Sequence, residues 1–286
     1  MIKMIYADLH THSIYSDGIY EPEEVVKRAK EKGIKWLAIC DHDTLFHQED
    51  IKKYGEKYGV NIIKGIEMSC YNFKTFKKIH ILGLFLNDDA PNVTKLCNKT
   101  LNARDNYHRE LIKEYASQGY NISYEDAKKY SPYNAIFKMD IFSALKEKNP
   151  TIDYGFYKKH FQGKVPIEVE LKMDYIDIKE GIEAILADGG LPILAHPSFY
   201  NSFPEVLEYI DYGILGIEIN HHSMKEEDKL KAIEIANKYN LVKSGGSDFH
   251  RERYTDDGIE HFGHFGLTKE QFEQFRIDCK NKGFEF

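Results

Sequence analysis

Short apolar runs that end on a histidine or a carboxylate recur along this 286-residue sequence, and that pattern limits the fold more than any other feature. Residues 2–9 read as a strand leading into Asp-Leu-His-Thr-His, and residues 35–40 as one leading into Asp41-His42-Asp43. Residues 60–66 read as a strand ending at Glu67, and residues 78–86 as one carrying His80. Later runs at 191–195, 213–219 and 241–244 lead to His196, to Asn220 and to Gly-Gly-Ser-Asp-Phe-His. Amphipathic stretches lie between them. Residues 21–33 carry Pro22 at an early helical position, acidic residues in the first turn, lysines in the last and Gly33 as a stop. Further helices are expected near 48–57, 178–188 and 226–239. Alternating short strands and helices imply parallel strands joined by crossovers. The expected class is α/β, with a (β/α) barrel of about seven strands fitting better than an open sheet.

The rhythm breaks over residues 96–165, which are helical in character, rich in Lys, Tyr and Asn, and carry Pro132 and Pro150. The expected organisation is a barrel domain from 1–95 and 166–286 with a helical insert, 96–165, covering the mouth of the site. No Gly-x-Gly-x-x-Gly follows the first strand and no P-loop motif occurs, so nucleotide-cofactor and P-loop readings lose their main support. No apolar run approaches the ~18–20 residues of a membrane span, and the start lacks the apolar core of a secretory signal. The four cysteines lie far apart with no Cys-x-x-Cys pair, so a reducing cytoplasm is the expected location. A net charge of −7 with dispersed basic residues argues against a broad footprint on duplex nucleic acid.

Metal-ligand residue types gather at the ends of the predicted strands: His10, His12, Asp17, His42, Glu67, His80, His196, Asp248 and His250. In a barrel, side chains at those ends converge on one mouth. His10/His12 and Asp248/His250 are i, i+2 pairs, which point to one side of an extended segment. A single His-x-His would be weak evidence. Nine such residues are hard to place as unpaired core, because buried charges without partners are costly. Mixed imidazole and carboxylate ligands suit Zn²⁺, Mn²⁺ or Fe²⁺ better than Ca²⁺.

The pieces Ala-Asp-Leu-His-Thr-His-Ser-x-x-Ser-Asp-Gly, Asp-His-Asp-Thr, Gly-Ile-Glu-Met-Ser, Ile-His-Ile-Leu-Gly, Leu-Ala-His-Pro, Gly-Ile-Glu and Gly-Gly-Ser-Asp-Phe-His follow one another over nearly the whole chain. In this order they resemble the PHP (polymerase and histidinol phosphatase) superfamily of metal-dependent phosphoesterases. The insert resembles that of the branch containing nucleoside 3′,5′-bisphosphate phosphatases and 5′→3′ exoribonucleases. The resemblance implies a distorted (β/α)₇ barrel and three divalent ions. By the same resemblance, His10, His12, Glu67 and Asp248 match the ligands of one ion and Asp17, His42 and His250 those of a second. Glu67, His80 and His196 match the third, with Glu67 bridging. It further implies hydrolysis of phosphate monoesters or short phosphodiesters of nucleotides by a hydroxide bridging two ions, with Asp17 and Asp248 at the catalytic centre. A small nucleotide or short oligonucleotide would be the substrate, and oligomeric state is left open.

Relatives of that branch carry two arginines on the first insert helix. Here Arg104 can match the first, and the second is replaced near Tyr107. A later Gly-Arg-x-His element reads Phe137-Lys138-Met139-Asp140, leaving Lys138 as a candidate anion contact beside Arg104. Ala-His-Pro is followed by Ser198-Phe199-Tyr200 without a basic residue. His222 is a candidate general acid or substrate contact, with His221 having less claim. His47, His108, His160 and His261 have no motif around them. The competing readings are a histidinol-phosphate phosphatase and a non-catalytic metal-binding PHP module.

Overall fold

The first strand–helix units form as their local signals direct. In the computed structural model, which describes residues 4–161, 171–256 and 258–286, β1 (Ala7–Thr11) is followed by α1 (Pro22–Glu31), β2 (Trp36–Ile39) and α2 (Gln48–Tyr58). Pro22 occupies the first helical turn of α1, and Gly33 takes a φ of 80° just past its end, a left-handed conformation cheap only without a Cβ. Val25, Val26 and Ala29 bury the inner face of α1. β1, β2 and the short β3 (Asn61–Ile62) pair in parallel.

The expected strand at 60–66 is divided. Its second half belongs to β4 (Gly65–Asn72), so Glu67 is the third residue of a strand and not a strand end. Gly65 permits this path, since a Cβ there would lie 2.6 Å from Cys40 Sγ. β5 (Lys77–Leu84) also departs from the expected parallel arrangement and runs antiparallel to β4. Four residues separate the two strands, far too few for a crossover. Asn72 closes the turn by accepting from Lys74 N at 2.9 Å and Thr75 N at 3.1 Å.

Among the described residues four helices follow: α3 (Pro91–Ser117), α4 (Tyr124–Lys128), α5 (Lys138–Lys148) and α6 (Tyr154–His160). The boundary expected at residue 95/96 falls inside α3. Val93 and Cys97 at its start pack with β4 and β5, whereas Ile112 and Tyr115 near its end join a separate apolar cluster with Ile136, Phe142 and Phe161. The alternation resumes with β6 (Ile176–Asp177), α7 (Ile178–Ala187), β7 (Leu191–Leu194), α8 (Val206–Tyr212), β8 (Gly216–Asn220), α9 (Glu226–Tyr239), β9 (Val242–Gly245) and α10 (Lys269–Asn281).

The nine strands form a sheet β1-β2-β3 and a second sheet β6-β4-β5-β7-β8-β9, and no sheet closes on itself among the described residues. Hydrogen bonds from loops join the two. Asp248 N donates to His10 O at 2.9 Å, His12 N to Phe249 O at 2.8 Å, and Asp43 N to Glu67 O at 3.0 Å. The seam therefore runs through the residues singled out as ligands. Gly246 lies on it, and a Cβ there would fall 2.3 Å from His10 Cβ and 2.6 Å from His10 N. Gly246→Ala is expected to destabilise the fold by about 1–3 kcal/mol, the usual cost of overpacking. Chemical denaturation measures this, and an unchanged midpoint would contradict the close approach. Among the described residues no helix is long and apolar enough to cross a membrane.

Candidate metal centre

Glu67 enters the centre from β4, fully surrounded by protein, and five histidines face its two oxygens. Oε2 lies 3.1 Å from His10 Nε2, 3.2 Å from His12 Nε2 and 3.4 Å from His42 Nδ1. Oε1 lies 2.8 Å from His80 Nδ1 and 2.9 Å from His196 Nε2. His10 comes from β1 and His12 from the residue just after it, His42 from the turn after β2, His80 from the middle of β5 and His196 from the residue pair after β7. Asp248 and His250 follow β9. Asp248 Oδ1 is 3.1 Å from His12 Nε2, and His250 Nε2 is 3.0 Å from Asp17 Oδ1. All nine predicted ligands thus share one centre, reached from six strands or their ends.

Their ligand atoms fall into sets lying within 4.8 Å of one another: His10, His12, Glu67 and Asp248; His12, Asp17, His42 and His250; His42, Glu67 and His80. The first set coincides with the first group expected from sequence, the second adds His12 to the second group, and the third has His42 where the expected group has His196. Several atoms that face inward have no hydrogen-bond partner: His10 Nε2, both His12 ring nitrogens, His42 Nδ1 and Asp17 Oδ1. Buried polar atoms are rarely left so, because each forfeits its hydration. This donor set of imidazoles and carboxylates fits divalent transition-metal ions.

The backbone is strained at the same place. His196, Asp248 and Asp43 have φ values of 25°, 53° and 56°, which for residues with a Cβ cost about 1–3 kcal/mol each. Charge is balanced locally. Burial pushes the Glu67 carboxyl up, but His10, His42 and His80 pull it well below the usual carboxylate range. Burial opposes charge on His12 too, and Asp248 and Glu67 more than reverse this, raising it to about 10. His42 is pushed down to about 4 by burial.

A second layer of carboxylates holds these ligands, and sequence reasoning did not single it out. Glu218 on β8 is fully buried. Its Oε1 accepts from His10 Nδ1 at 3.1 Å, and its Oε2 from His196 N at 2.6 Å. The Gly-Ile-Glu triplet at 216–218 repeats that at 65–67 and was the available signal. Asp41 accepts from Ser13 N, Ser13 Oγ, Ser16 Oγ and His47 Nε2 at 2.6–2.7 Å, which pins the loop between His12 and Asp17. His221 is buried, its Nε2 3.4 Å from Asp248 Oδ2.

The substrate-contact candidates fare differently. Arg104 lines a cavity of about 200 Å³ with Asp17, His42, His80, His250, Lys138 and Tyr200. Its Nη2, however, is bound to Asp43 Oδ2 at 2.8 Å and Ser69 Oγ at 2.9 Å. Lys138 lines the same cavity and donates to Phe161 O at 3.3 Å. His222 lies outside that lining. Its Nδ1 donates to Ser247 O at 3.2 Å, and burial with His221 alongside pushes it down to about 3. That tautomer leaves Nε2 as an acceptor.

Comparison with known proteins now decides the family. A sequence model of the PHP domain matches residues 8–222. The chain belongs to the PHP family. An Eggerthella lenta protein named phosphoribosyl 1,2-cyclic phosphate 1,2-diphosphodiesterase is 32% identical over 85% of this chain and 93% of its own. A Haemophilus influenzae 5′-3′ exoribonuclease is 30% identical over 85% and 89%, and a Chromobacterium violaceum 3′,5′-nucleoside bisphosphate phosphatase 24% identical over 86% and 88%. In fold, the chain superposes on a Bifidobacterium adolescentis protein assigned as a metal-dependent phosphoesterase, with a TM-score of 0.79 at 20% identity, covering 95% of this chain and 96% of that one. As a PHP protein, this chain is a metal-dependent phosphoesterase, a hydrolase.

Proposed function

We propose that the chain hydrolyses phosphoesters of nucleotides or phosphorylated riboses at a centre of three divalent ions (Mn²⁺, Zn²⁺ or Fe²⁺). The observation that carries this reading is the sharing of Glu67, whose Oε2 faces His10, His12 and His42 while Oε1 faces His80 and His196. A carboxylate with donors on both sides is suited to bridging. His10, His12, Glu67 and Asp248 would hold one ion, Asp17, His42 and His250 a second, and Glu67, His80 and His196 a third. Bound ions would supply positive charge against the phosphoryl oxygens and make water acidic enough to attack near neutral pH. The protein's own part is to fix the ligands through Glu218 and Asp41, and to enclose the substrate beneath α3, α5 and α6.

In this reading the two sheets are the halves of a distorted (β/α)₇ barrel joined along the His10–Asp248 and His42–Glu67 seams. The insert expected at 96–165, whose end lies outside the described residues, roofs its mouth as far as residue 161, supported by the position of Arg104, His108, Phe137, Lys138 and Tyr157 on the cavity wall. The four cysteines are free and buried, which suits a reducing compartment. The E. lenta relative favours a second form of the same chemistry, on a cyclic phosphodiester of phosphoribose.

Phosphate release separates the readings. Metal-loaded protein is expected to release phosphate from adenosine 3′,5′-bisphosphate or a mononucleotide from a short oligoribonucleotide, and to open a ribose cyclic phosphate if the second form holds. Activity should disappear with chelator and return with added ion. Preferential turnover of histidinol phosphate would replace this reading, and metal binding without hydrolysis of any of these esters would make the chain a non-catalytic module.

A further inference from the structure

Four of the six arginines in this sequence have a carboxylate partner: Arg28 pairs with Glu24 and Glu252, Arg104 with Asp43, Arg109 with Asp105 and Arg276 with Glu273. Arg251 and Arg253 are the exceptions, with no ion pair among the described residues. Both line the cavity that contains Asp17, His42, His80 and His250. They come from the segment after β9, directly following His250, and the chain there is held by His261 N donating to Arg253 O at 2.8 Å.

We propose that Arg251 and Arg253 form a second anion site, which grips a phosphate of the substrate other than the one being cleaved. This assignment rests on the phosphoesterase reading above and specifies its substrate as doubly phosphorylated. Arg251 is partly buried, with Nε enclosed and unpartnered and Nη2 reaching only the Asp17 carbonyl at 3.4 Å. Asp17 and Asp140 both lie near enough to attract Arg251, but their direct contacts are made elsewhere. Asp17 faces His250, and Asp140 accepts from Phe137 N at 2.8 Å while burial pushes its carboxyl up to about 8. Two guanidinium groups that line one cavity, neither of them in an ion pair among the described residues, match a phosphate dianion, which guanidinium binds in bidentate fashion. The insert cannot supply the same contact through Arg104 Nη2, which is committed to Asp43 and Ser69. The anion-binding role expected of the insert thus passes to the barrel side.

The test compares adenosine 3′,5′-bisphosphate with the 3′- and 5′-monophosphates, using the metal-loaded enzyme. Wild type should prefer the bisphosphate in kcat/KM. Arg253→Ala should reduce that preference roughly 10–150-fold, the range for losing a hydrogen bond to a charged group, mainly through KM. Arg253→Lys should restore part of it, and Arg253→Gln serves where the alanine variant does not accumulate. An equal loss on all three substrates would assign Arg253 a structural role and overturn the proposal. A wild type that cleaves a monophosphate as well as the bisphosphate overturns it too, leaving the phosphoesterase reading intact. Failure on every phosphoester overturns both.

Discussion

Glu67→Ala is expected to lower kcat by at least ~10²-fold at saturating metal, the loss typical of removing one well-placed electrostatic element. The expectation follows from how many partners share this side chain. His10, His12 and His42 approach one oxygen within 3.4 Å, and His80 and His196 approach the other within 2.9 Å. No other carboxylate of the centre touches as many histidines. Removing it strips charge from the first and third proposed ion sites together, so bound metal per chain should fall with activity. Metal analysis of the purified variant and turnover across a metal titration are the two readouts. Thermal melting guards against misfolding, since the carboxylate is buried. Full metal content with near wild-type turnover would show that Glu67 is not the bridge.

The nine residues were legible because they stand in short motifs at the ends of apolar runs, and topology then gathers them. Spacing was only part of the reason. His10 and His12 do face one side of β1, with rings 5.2 Å apart. Asp248 and His250 are not an extended pair, since Asp248 has a φ of 53°, yet both reach His12 or Asp17 through that kink. The reversal of β5 was missed because an apolar run shows periodicity and no direction. Direction came from the four-residue turn after Asn72. His47 looked isolated in the sequence, yet its Nε2 sits 2.7 Å from Asp41. Its partner is fixed by the turn between β2 and α2. Arg104 is a candidate substrate contact in the sequence, which gives no sign that Asp43, 61 residues earlier, engages its Nη2. Buried carboxylates are the hardest class to read in this way. Their residue type points to the surface, and only contacts distant in sequence explain them.

Glu218 is the clearest such case, and its replacement separates holding a ligand from being one. Glu218→Gln is expected to weaken metal binding by about 10–100-fold, the usual effect of removing a ligand's supporting carboxylate. Burial raises the Glu218 carboxyl, but His10 outweighs this and holds it below its ordinary value. It is therefore an anion that accepts at both oxygens, from His10 Nδ1 and from His196 N. With an ion bound and His10 neutral, Nδ1 would keep the proton for Glu218, and the lone pair of Nε2 would face the ion on the side of Glu67 and Asp248. Glutamine keeps the volume but has one acceptor. The backbone N–H of His196 cannot become an acceptor, so the amide oxygen must remain there and the NH₂ must face His10. His10 would then accept at Nδ1 and carry its proton on Nε2, closing that nitrogen to metal. A chelator competition measures the affinity, and high metal should restore kcat more fully than in Glu67→Ala. Unchanged affinity in a folded Glu218→Gln protein would mean that the His10 tautomer is set by something other than this carboxylate.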